Sequence, residues 1–430
     1  MMTVRPTLAR MVGLVASLLL LPSCETTLDS LGCTERDRSS DGGGTQLVPN
    51  SIKPLAPLAG HASYPNAFRD LLGKSDSEIA AKVSDAFDQL FHGDPATEAI
   101  FVETGTDQAY IFDALHDEVR TEGIGFAMLI TVSLDKRDEF DRLWRYTKSI
   151  QVADGAAQGY LPSWCDGGNG DESCYDPFGL EQITTALLLA RGRWQAAPGA
   201  IDYGLEAATL LDLIRNKQLY NCGVVDGITA PFDAKKALPY DTPTTAAAGV
   251  SRPSIVMPAF YQLWYQATGD PFWAQAAAAA RAYWQASANA TTGLLPQKAR
   301  FDGTPVAGFD NFTSECQRIF FNMALDHIWS NSSPWLTDQS NRLLQFFIGR
   351  GLTTYGLVFS LDGSTIKSLH TEGLISANGA LALIATSDIR RDFVSEVWNL
   401  GLPATGAGRY YPGITQLMAF VIMSGQMRIY

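Results

Sequence analysis

The sequence contains few of the residues that bind metals or cross-link small domains. Its 430 residues include five histidines and six cysteines, with no CxxC pair and no cluster of histidines. Zinc sites in proteins use closely spaced Cys and His ligands. The sequence therefore predicts no metal site, and we expect no cofactor.

Positive charge is also scarce. The chain has 32 Lys and Arg residues against 45 Asp and Glu residues, which gives a formal net charge of −13. Nucleic acids and anionic membrane surfaces bind basic proteins, so we expect neither as a partner. Aromatic residues are abundant, with 9 Trp, 15 Tyr and 21 Phe. This composition is compatible with binding a neutral sugar.

The N-terminal hydrophobic run is too short to span a bilayer. Arg5 and Arg10 precede the run MVGLVASLLLL, which is the pattern of a signal peptide. The run ends in LPSC, which is similar to a bacterial lipobox, with Leu21 at the third position before Cys24. We therefore predict a lipoprotein signal peptide over residues 1–24. Ordinary signal cleavage nearby, with an unmodified cysteine, is the alternative.

A lipid on Cys24 would anchor the protein in the bacterial cell envelope and would be its only attachment to the membrane. Residues 25–50 are rich in Ser, Gly, Thr and Asp and predict a flexible tether. Cys165 and Cys174 bracket the loop DGGNGDES, and an exported location permits a disulfide between them. Residues 51–430 remain as a single folded domain.

Past residue 60 the dominant pattern is helical. Leu129, Ile130 and Leu134 recur at spacings of three and four, and the same spacing continues from Phe140 to Leu143. Similar runs include ITTALLLARGRW, YGLEAATLLDLIRNK, FWAQAAAAARAYWQASA and GITQLMAFVIMSG. Together they predict about a dozen helices, joined by loops that carry Gly, Pro and Asp. Runs with period two are nearly absent, so we predict an all-α fold.

The predicted helices are of two kinds. ITTALLLA and LISANGALALIA are apolar on most faces, whereas FDRLWRYTKSI and FWAQAAAAARAYWQ are apolar on one side. A helix that is apolar all round is buried on every side. The alternation of the two kinds predicts an inner ring of helices inside an outer ring. Glu122 lies at the start of an inner helix, where we expect it to face a cleft at one end of the ring.

The segment TGTDQAYIFDALHDEVRTEGIGFAMLITVSLDKRDEFDRLWRY resembles the acid-carrying segment of glycoside hydrolase family 8, particularly its branch of reducing-end xylose-releasing exo-oligoxylanases. The resemblance continues in family order through GYLPSW, ALLLARGRW, RFDGTPV, FTSECQRIFFNMALDHIW, KSLHTEGLISANG and GAGRYYPGITQLMAFVIMSG. It implies an (α/α)6 barrel. It also implies inverting hydrolysis of β-1,4-linked glucan, xylan or chitosan, with an oligo- or polysaccharide as the partner.

By this resemblance Glu122 matches the general acid. Such a carboxyl group must still carry its proton when the substrate binds, so that it can protonate the leaving oxygen. A helix N-terminus favours the ionised form by ~0.3–1 kcal/mol, which is less than one pKa unit. Burial in a cleft can raise a carboxyl pKa by several units, so we expect burial to win. The alternative is that Glu122 only caps its helix beside Thr121.

The resemblance places the general base at Glu315, where the family usually has an aspartate. Inverting enzymes hold their two carboxyl groups ~6.5–9.5 Å apart to admit a water molecule. A glutamate reaches one methylene further than an aspartate, so its side chain must be retracted or the backbone must shift. Asp310, five residues upstream, is the alternative base.

Three further positions depart from the family pattern. Phe178 stands where the family carries an aspartate that helps to hold the distorted sugar, and Asp176 or Glu181 could approach the same space. Arg252 and Ile255 stand where an acidic or amide residue and a tyrosine are common. We therefore expect altered sugar contacts in the cleft.

Four other side chains are predicted to contact the sugar. Arg318 follows Glu315 by three residues, which is one helical turn, and could orient that carboxylate or a sugar hydroxyl, although an ordinary ion pair is the alternative. The resemblance aligns His370 with a histidine that borders the reducing-end side, although a structural histidine is the alternative. Trp164 is a candidate stacking platform, and Tyr411 precedes the last buried helix.

The sequence thus predicts a lipid-anchored, inverting glycoside hydrolase that acts on β-1,4-linked oligo- or polysaccharides, with xylo-oligosaccharides favoured. The competing interpretation is a surface glycan-binding lipoprotein that has the same barrel and has lost turnover. The substitutions at Phe178 and Glu315 motivate it.

Overall fold

The computed structural model describes residues 52–56, 64–162, 175–194, 200–221, 223–330 and 333–430. The predictions for the signal peptide, the tether, Cys24, Trp164 and the Cys165–Cys174 pair lie outside these residues. No helix in the described ranges is both long enough and apolar enough to cross a bilayer.

Helices make up most of the described chain, as predicted. In chain order they are α1 (Ala67–Leu72), α2 (Asp76–His92), α3 (Thr121–Ser133), α4 (Arg137–Ile150), α5 (Pro177–Arg193), α6 (Tyr203–Tyr220), α7 (Pro258–Thr268), α8 (Pro271–Ser287), α9 (Arg318–Ser330), α10 (Pro334–Ile348), α11 (Glu372–Leu381), α12 (Arg390–Asn399) and α13 (Tyr410–Met423).

Six of these helices close into an inner ring. Helix α3 packs against α5, and the contacts continue through α7, α9 and α11 to α13, which returns to α3. Outer helices α4, α6, α8 and α12 each pack against the inner helix before them, α10 packs against α11, and α2 packs against α13. This arrangement is the (α/α)6 barrel, and α1 is additional to it.

The two layers follow from the side chains of their helices. In α3 every residue except Glu122 is buried, and in α5 burial is continuous from Pro177 to Ala190. In contrast, α4 buries Phe140, Leu143 and a few neighbours, and its charged residues lie on the other faces. Because an outer helix returns the chain between each inner helix and the next, all six inner helices begin at one end of the barrel. We call this the cleft end.

Glycine allows α3 and α5 to approach closely at the cleft end. A Cβ atom on Gly179 would lie 2.7 Å from the carbonyl carbon of Thr121, and one on Gly125 would lie 2.5 Å from Oε1 of Gln182. Real Cβ contacts are longer than this, so a larger residue at either position would force the two helices apart.

Within the described ranges, eight short strands lie in the connections between helices, and the sequence did not predict them. They are β1 (Phe101–Thr104), β2 (Gln108–Asp113), β3 (Glu118–Val119), β4 (Val250–Ser251), β5 (Ala299–Arg300), β6 (Asn311–Phe312), β7 (Val358–Ser360) and β8 (Thr365–Lys367). They pair antiparallel in the orders β1-β2-β3, β4-β5 and β6-β7-β8. Most are too short to show a period of two.

Candidate active site

Glu122 is the second residue of α3, immediately after β3. Its side chain keeps 13% of its exposed area, so the carboxyl group remains reachable from the cleft. Oε1 of Glu122 accepts a hydrogen bond of 2.8 Å from Nη1 of Arg318, the first residue of α9. Because the two residues start different inner helices, this bond confirms that both helices begin at the cleft end.

Glu315 lies in a single 3₁₀ turn (Ser314–Gln317) that leads directly into α9. Its Oε1 accepts hydrogen bonds from Nη1 of Arg252 at 3.0 Å and from the hydroxyl of Ser254 at 2.7 Å. The same oxygen forms an ion pair of 2.7 Å with Nη2 of Arg318. Oε2 accepts a hydrogen bond of 3.2 Å from Nε2 of Gln297. Three separate segments of chain therefore hold this carboxylate.

A single guanidinium group joins the two carboxylates. The contacts of Arg318 are 2.8 Å to Oε1 of Glu122 and 2.7 Å to Oε1 of Glu315. The terminal nitrogens of a guanidinium are about 2.3 Å apart, so these two oxygens lie within about 8 Å of each other. This upper bound overlaps the range of ~6.5–9.5 Å at which two carboxyl groups act on opposite sides of one glycosidic bond.

The two carboxyl groups differ in their affinity for a proton. Burial raises the pKa of Glu122, and Arg318 only partly offsets that effect. Burial also acts to raise the pKa of Glu315, but Arg252 and Arg318, with hydrogen bonds from Ser254 and Gln297, lower this pKa to about 2. Between these two pKa values Glu315 is ionised while Glu122 still holds its proton.

Arg252 is the centre of a wider group of charges. Besides Glu315, its guanidinium forms ion pairs of 2.8 Å with Asp176 and of 2.8 Å with Asp241. Asp241 in turn pairs with Lys298 at 2.8 Å. Arg252 is buried, and its cation is shared by three carboxylates.

Phe178 contributes an aromatic ring to this end of the barrel. The ring centre lies 4.6 Å from the guanidinium carbon of Arg318, and the ring packs edge-on against Phe126. The acids beside Phe178 are engaged elsewhere. Asp176 pairs with Arg252 and caps α5. Glu181 is buried and accepts a hydrogen bond of 2.8 Å from the hydroxyl of Tyr261.

The other predicted residues have different surroundings. Tyr411 is the second residue of α13, where burial raises the pKa of its hydroxyl and the nearby Glu122 charge adds to this increase. His370 contacts the carbonyl of Tyr355 at 3.0 Å and the Glu396 carboxylate at 3.1 Å, so both ring nitrogens contact protein groups. Asp310 lies in an exposed loop before β6.

Of the residues that hold Glu315, sequence reasoning identified Arg318 but not Arg252, Ser254 or Gln297. Ser254 and Gln297 give no signal of their own, because a serine and a glutamine at these positions fit many loops. Arg252 was noticed only as a departure from the family pattern. Two departures from the family pattern occur together: Arg252 replaces an acidic or amide residue, and Glu315 replaces the aspartate expected as the general base. Their joint occurrence is the signal that could have indicated a contact between them.

A second charged cluster lies just ahead of α3. Asp113, His116 and Glu118 offer ligand atoms within 4.8 Å of one another, which is close enough for a metal ion. However, Arg120 forms ion pairs with both Asp113 and Glu118. The arginine already supplies the positive charge that these carboxylates require, so we assign no metal to them.

Comparisons with known proteins agree with this geometry. The sequence profile of the glycosyl hydrolases family 8 matches residues 109–423. The chain is 31% identical over 380 residues to the reducing-end xylose-releasing exo-oligoxylanase Rex8A of Paenibacillus barcinonensis, and the match covers 86% of this chain and 97% of that protein.

Two other similarities are of the same extent. A reducing end xylose-releasing exo-oligoxylanase of Halalkalibacterium halodurans is 32% identical over 384 residues, covering 85% of this chain and 94% of the relative. The crystal structure of a GH8 xylobiose complex from Teredinibacter turnerae superposes with a TM-score of 0.79 at 31% identity, covering 85% of this chain and 98% of that one. The chain therefore belongs to glycosyl hydrolase family 8 and is a glycoside hydrolase.

Proposed function

We propose that this protein hydrolyses β-1,4-linked xylo-oligosaccharides with inversion at the anomeric carbon, using Glu122 as the general acid and Glu315 as the general base. The observation that supports these roles is the pair of carboxylates on one arginine, with a raised pKa for Glu122 and a lowered pKa for Glu315. Inverting hydrolysis needs one protonated and one ionised carboxyl group ~6.5–9.5 Å apart, and the upper bound of about 8 Å is compatible with that range.

The proposed reaction takes place in a single displacement. Glu122 protonates the oxygen that leaves with the reducing-end sugar as the glycosidic bond breaks. Glu315 accepts a proton from a water molecule, whose oxygen forms the new bond to the anomeric carbon on the opposite face. One water is consumed, and the two carboxyl groups exchange protonation states before they are reset by solvent.

The substrate class rests on the relatives. Two of them are named reducing-end xylose-releasing exo-oligoxylanases, and a structural neighbour holds xylobiose. A xylose ring lacks the hydroxymethyl group of glucose, so it takes less space in a cleft. Phe178 and Arg252 replace residue types that are common in the family, so we expect the preference among xylo-oligosaccharides to differ from that of the relatives.

The test is to measure turnover on a panel of xylo-, cello- and chitosan oligosaccharides. NMR spectra recorded in the first minutes of the reaction identify the anomer of the product. We expect release of xylose or short xylo-oligosaccharides with inverted configuration. Glu122→Gln should lower turnover by at least ~100-fold, the lower end of a general-acid contribution. Retained configuration at the anomeric carbon would exclude the single displacement.

A matched control is available on a neighbouring inner helix. Burial raises the pKa of Glu181 well above its usual range, so this acid is neutral and glutamine resembles it closely. We therefore expect Glu181→Gln to retain turnover, because the change preserves both shape and charge. Equal losses in Glu122→Gln and Glu181→Gln would indicate a general sensitivity of the barrel instead of a role for Glu122 as the acid.

One observation favours the second candidate, a glycan-binding protein without turnover. A carboxylate with a pKa of about 2 is a weak base, because general-base catalysis works best with a pKa near the working pH. Calorimetric binding of xylo-oligosaccharides with no product after long incubation would support this candidate. Turnover that Glu122→Gln abolishes would exclude it.

We also propose that lipid on Cys24 anchors the protein in the cell envelope. The support is the sequence alone, namely the two arginines, the apolar run and the LPSC motif. Cys24→Ser should move the protein from the membrane fraction to the soluble fraction, and growth with a labelled fatty acid should label only the parent protein. Unchanged partitioning of Cys24→Ser would favour ordinary secretion.

A further inference from the structure

The two oxygens of Glu315 have unequal surroundings. Oε1 contacts the guanidinium groups of Arg252 and Arg318 and the hydroxyl of Ser254, at 2.7–3.0 Å. Oε2 accepts a longer bond of 3.2 Å from the side-chain amide of Gln297. A carboxylate oxygen has about two lone-pair sites, so three donors saturate Oε1. Oε2 is therefore the oxygen that can accept the proton of a water molecule.

Arg252 is itself fixed in place from the other side. Asp176 holds Nη2 at 2.8 Å, and Asp241 contacts Nε at 2.8 Å. Asp241 is in turn held by Lys298. A planar guanidinium with partners on several edges has little freedom to turn. It therefore presents Nη1 to Glu315 at a defined place, and the longer glutamate side chain is held there.

We propose that Arg252 is a positioning residue for Glu315. By holding Oε1, Arg252 keeps the longer glutamate side chain retracted. Oε2 then faces the attacking water at the distance that the shorter side chain of an aspartate would give. The arginine at 252 and the glutamate at 315, both of which depart from the family pattern, then function as a coupled pair. This inference rests on the proposed role of Glu315 as the base.

The charges around Glu315 determine what the loss of Arg252 would do. The cations that face its carboxylate are Arg252 and Arg318, and Lys298 lies behind Asp241. The other groups of the cluster are the carboxyls of Glu122, Asp176 and Asp241, the hydroxyl of Tyr411 and the thiol of Cys316. Without Arg252, Arg318 is the one of these cations that still contacts the carboxylate directly, so Glu315 would take up a proton at higher pH.

The test is a double-mutant cycle of Arg252→Asn and Glu315→Asp, measured on a xylo-oligosaccharide that the parent enzyme hydrolyses. We expect each single variant to lower kcat by at least ~10-fold, because a displaced base misses its water, with a smaller change in KM. If the two residues acted independently, the loss of kcat in the double variant would equal the product of the two single losses. We expect the kcat of the double variant to be at least ~10-fold higher than that product predicts, because coupled residues are non-additive. Losses that simply multiply would overturn the proposal.

The pH profile gives a readout that a purely structural role would not change. Arg252→Asn should move the acid limb of kcat/KM to higher pH, and Arg252→Lys, which keeps the charge, should restore the limb but not the full kcat. Arg281→Asn is the matched control. It removes an arginine that binds the buried Asp326 by two hydrogen bonds, at 2.9 and 2.6 Å. We expect this control to lower the melting temperature and to leave the acid limb unchanged.

Crystal structures of the parent protein and of the Arg252 variants provide a test that does not need turnover. We expect Oε1 of Glu315 to leave its present position in Arg252→Asn. If that variant does not fold, the same displacement is measured in Arg252→Lys. Absence of turnover in the parent protein would remove the proposed function and leave this displacement measurable. An unmoved Glu315, with an unchanged acid limb, would overturn the role of Arg252.

Discussion

The two ends of the inner helices handle buried charge in different ways. At the cleft end, Arg318 serves two carboxylates and Arg252 serves three. Further along α9, about 12 Å from its start at 1.5 Å per residue, Asp326 has the guanidinium of Arg281 as a bidentate partner. A hydroxyl from Ser330 completes that site.

Uncharged polar groups show the same contrast. At the cleft end, Oγ1 of Thr121 and the hydroxyl of Tyr410 are buried without a hydrogen-bond partner among the described residues. Near the other end, the indole of Trp329 donates to the carbonyl of Met427 at 3.0 Å, and the hydroxyl of Ser133 donates to the carbonyl of Leu129 at 2.7 Å. Unsatisfied buried polar groups cost stability. The two unsatisfied groups at the cleft end therefore cost stability, whereas the two paired groups near the other end do not.

The largest expected effect comes from removing the arginine that both carboxylates share. Arg318→Gln should lower kcat by on the order of 100-fold, because both proposed catalytic groups lose their positions. Arg318 lowers the pKa of Glu122 and that of Glu315. Its loss should therefore move both limbs of the pH–rate profile to higher pH, which a series of kcat/KM measurements would record.

The matched change at the far end is Asp326→Asn. It should destabilise the protein by about 3–5 kcal/mol, the cost of leaving one member of a buried ion pair alone, with no movement of either limb. Urea unfolding and the same kinetic series would measure the two effects. If the pH–rate profile of Arg318→Gln kept both limbs at the pH values of the parent enzyme, Arg318 would not set the pKa values of the two carboxyl groups. The proposed difference between the two ends of the barrel would then be wrong.

A smaller effect concerns acid stability. The pKa of Glu315 is about 2 in the folded protein and ~4.3 in an unfolded chain, so its ionisation stabilises the fold by about 3 kcal/mol above pH ~4.5. That contribution is lost as the pH falls through the folded pKa, and about 2 kcal/mol of it should be lost between pH 6 and pH 3.

Urea unfolding of the parent protein and of Glu315→Gln at both pH values would measure this loss by difference. The glutamine cannot ionise, so the variant should lose about 2 kcal/mol less than the parent between pH 6 and pH 3. Equal acid sensitivity in the two proteins would mean that the carboxylate of Glu315 is not the acid-labile group of the cleft end.

The smallest expected effect compares two glycines on α5. A Cβ on Gly179 would meet the backbone of Thr121, beside Glu122, and a Cβ on Gly192 would meet the carbonyl oxygen of Tyr430. Each change to alanine should cost about 1–3 kcal/mol of stability by overpacking. Only Gly179→Ala should also lower kcat, because it displaces the start of α3. Thermal melts and initial rates would separate the two, and a drop in kcat for Gly192→Ala would contradict the assignment of the ends.

The fold could be predicted from the sequence because its signals are local. The helix count and the division into apolar and one-sided helices depend on residues three and four positions apart. The prediction that Glu122 starts a buried helix is confirmed for the same reason. Helix α11 ends at Leu381 although the apolar run continues to Ile384, which shows that hydrophobicity alone places helix ends poorly.

Apart from Arg318, which is one helical turn away, the surroundings of Glu315 could not be predicted, because their contacts join distant parts of the chain. Arg252 and Ser254 lie more than 60 positions before Glu315, in the connection that precedes α7. No spacing in the sequence identifies such partners. The resemblance located the carboxylates, and the structure was needed to find what holds them and what sets their affinity for protons.

Arg252 binds carboxylates from several loops, and this affects how such a cleft can evolve. Its partners Asp176, Asp241 and Glu315 come from connections that precede different inner helices. A mutation in any one of these loops therefore changes the electrostatic background in which the others are selected. We expect strong epistasis here, so that a lineage changes its base and the arginine beside it in a preferred order. Directed evolution of this cleft would then succeed sooner with libraries that vary these loops together than with libraries that vary them singly.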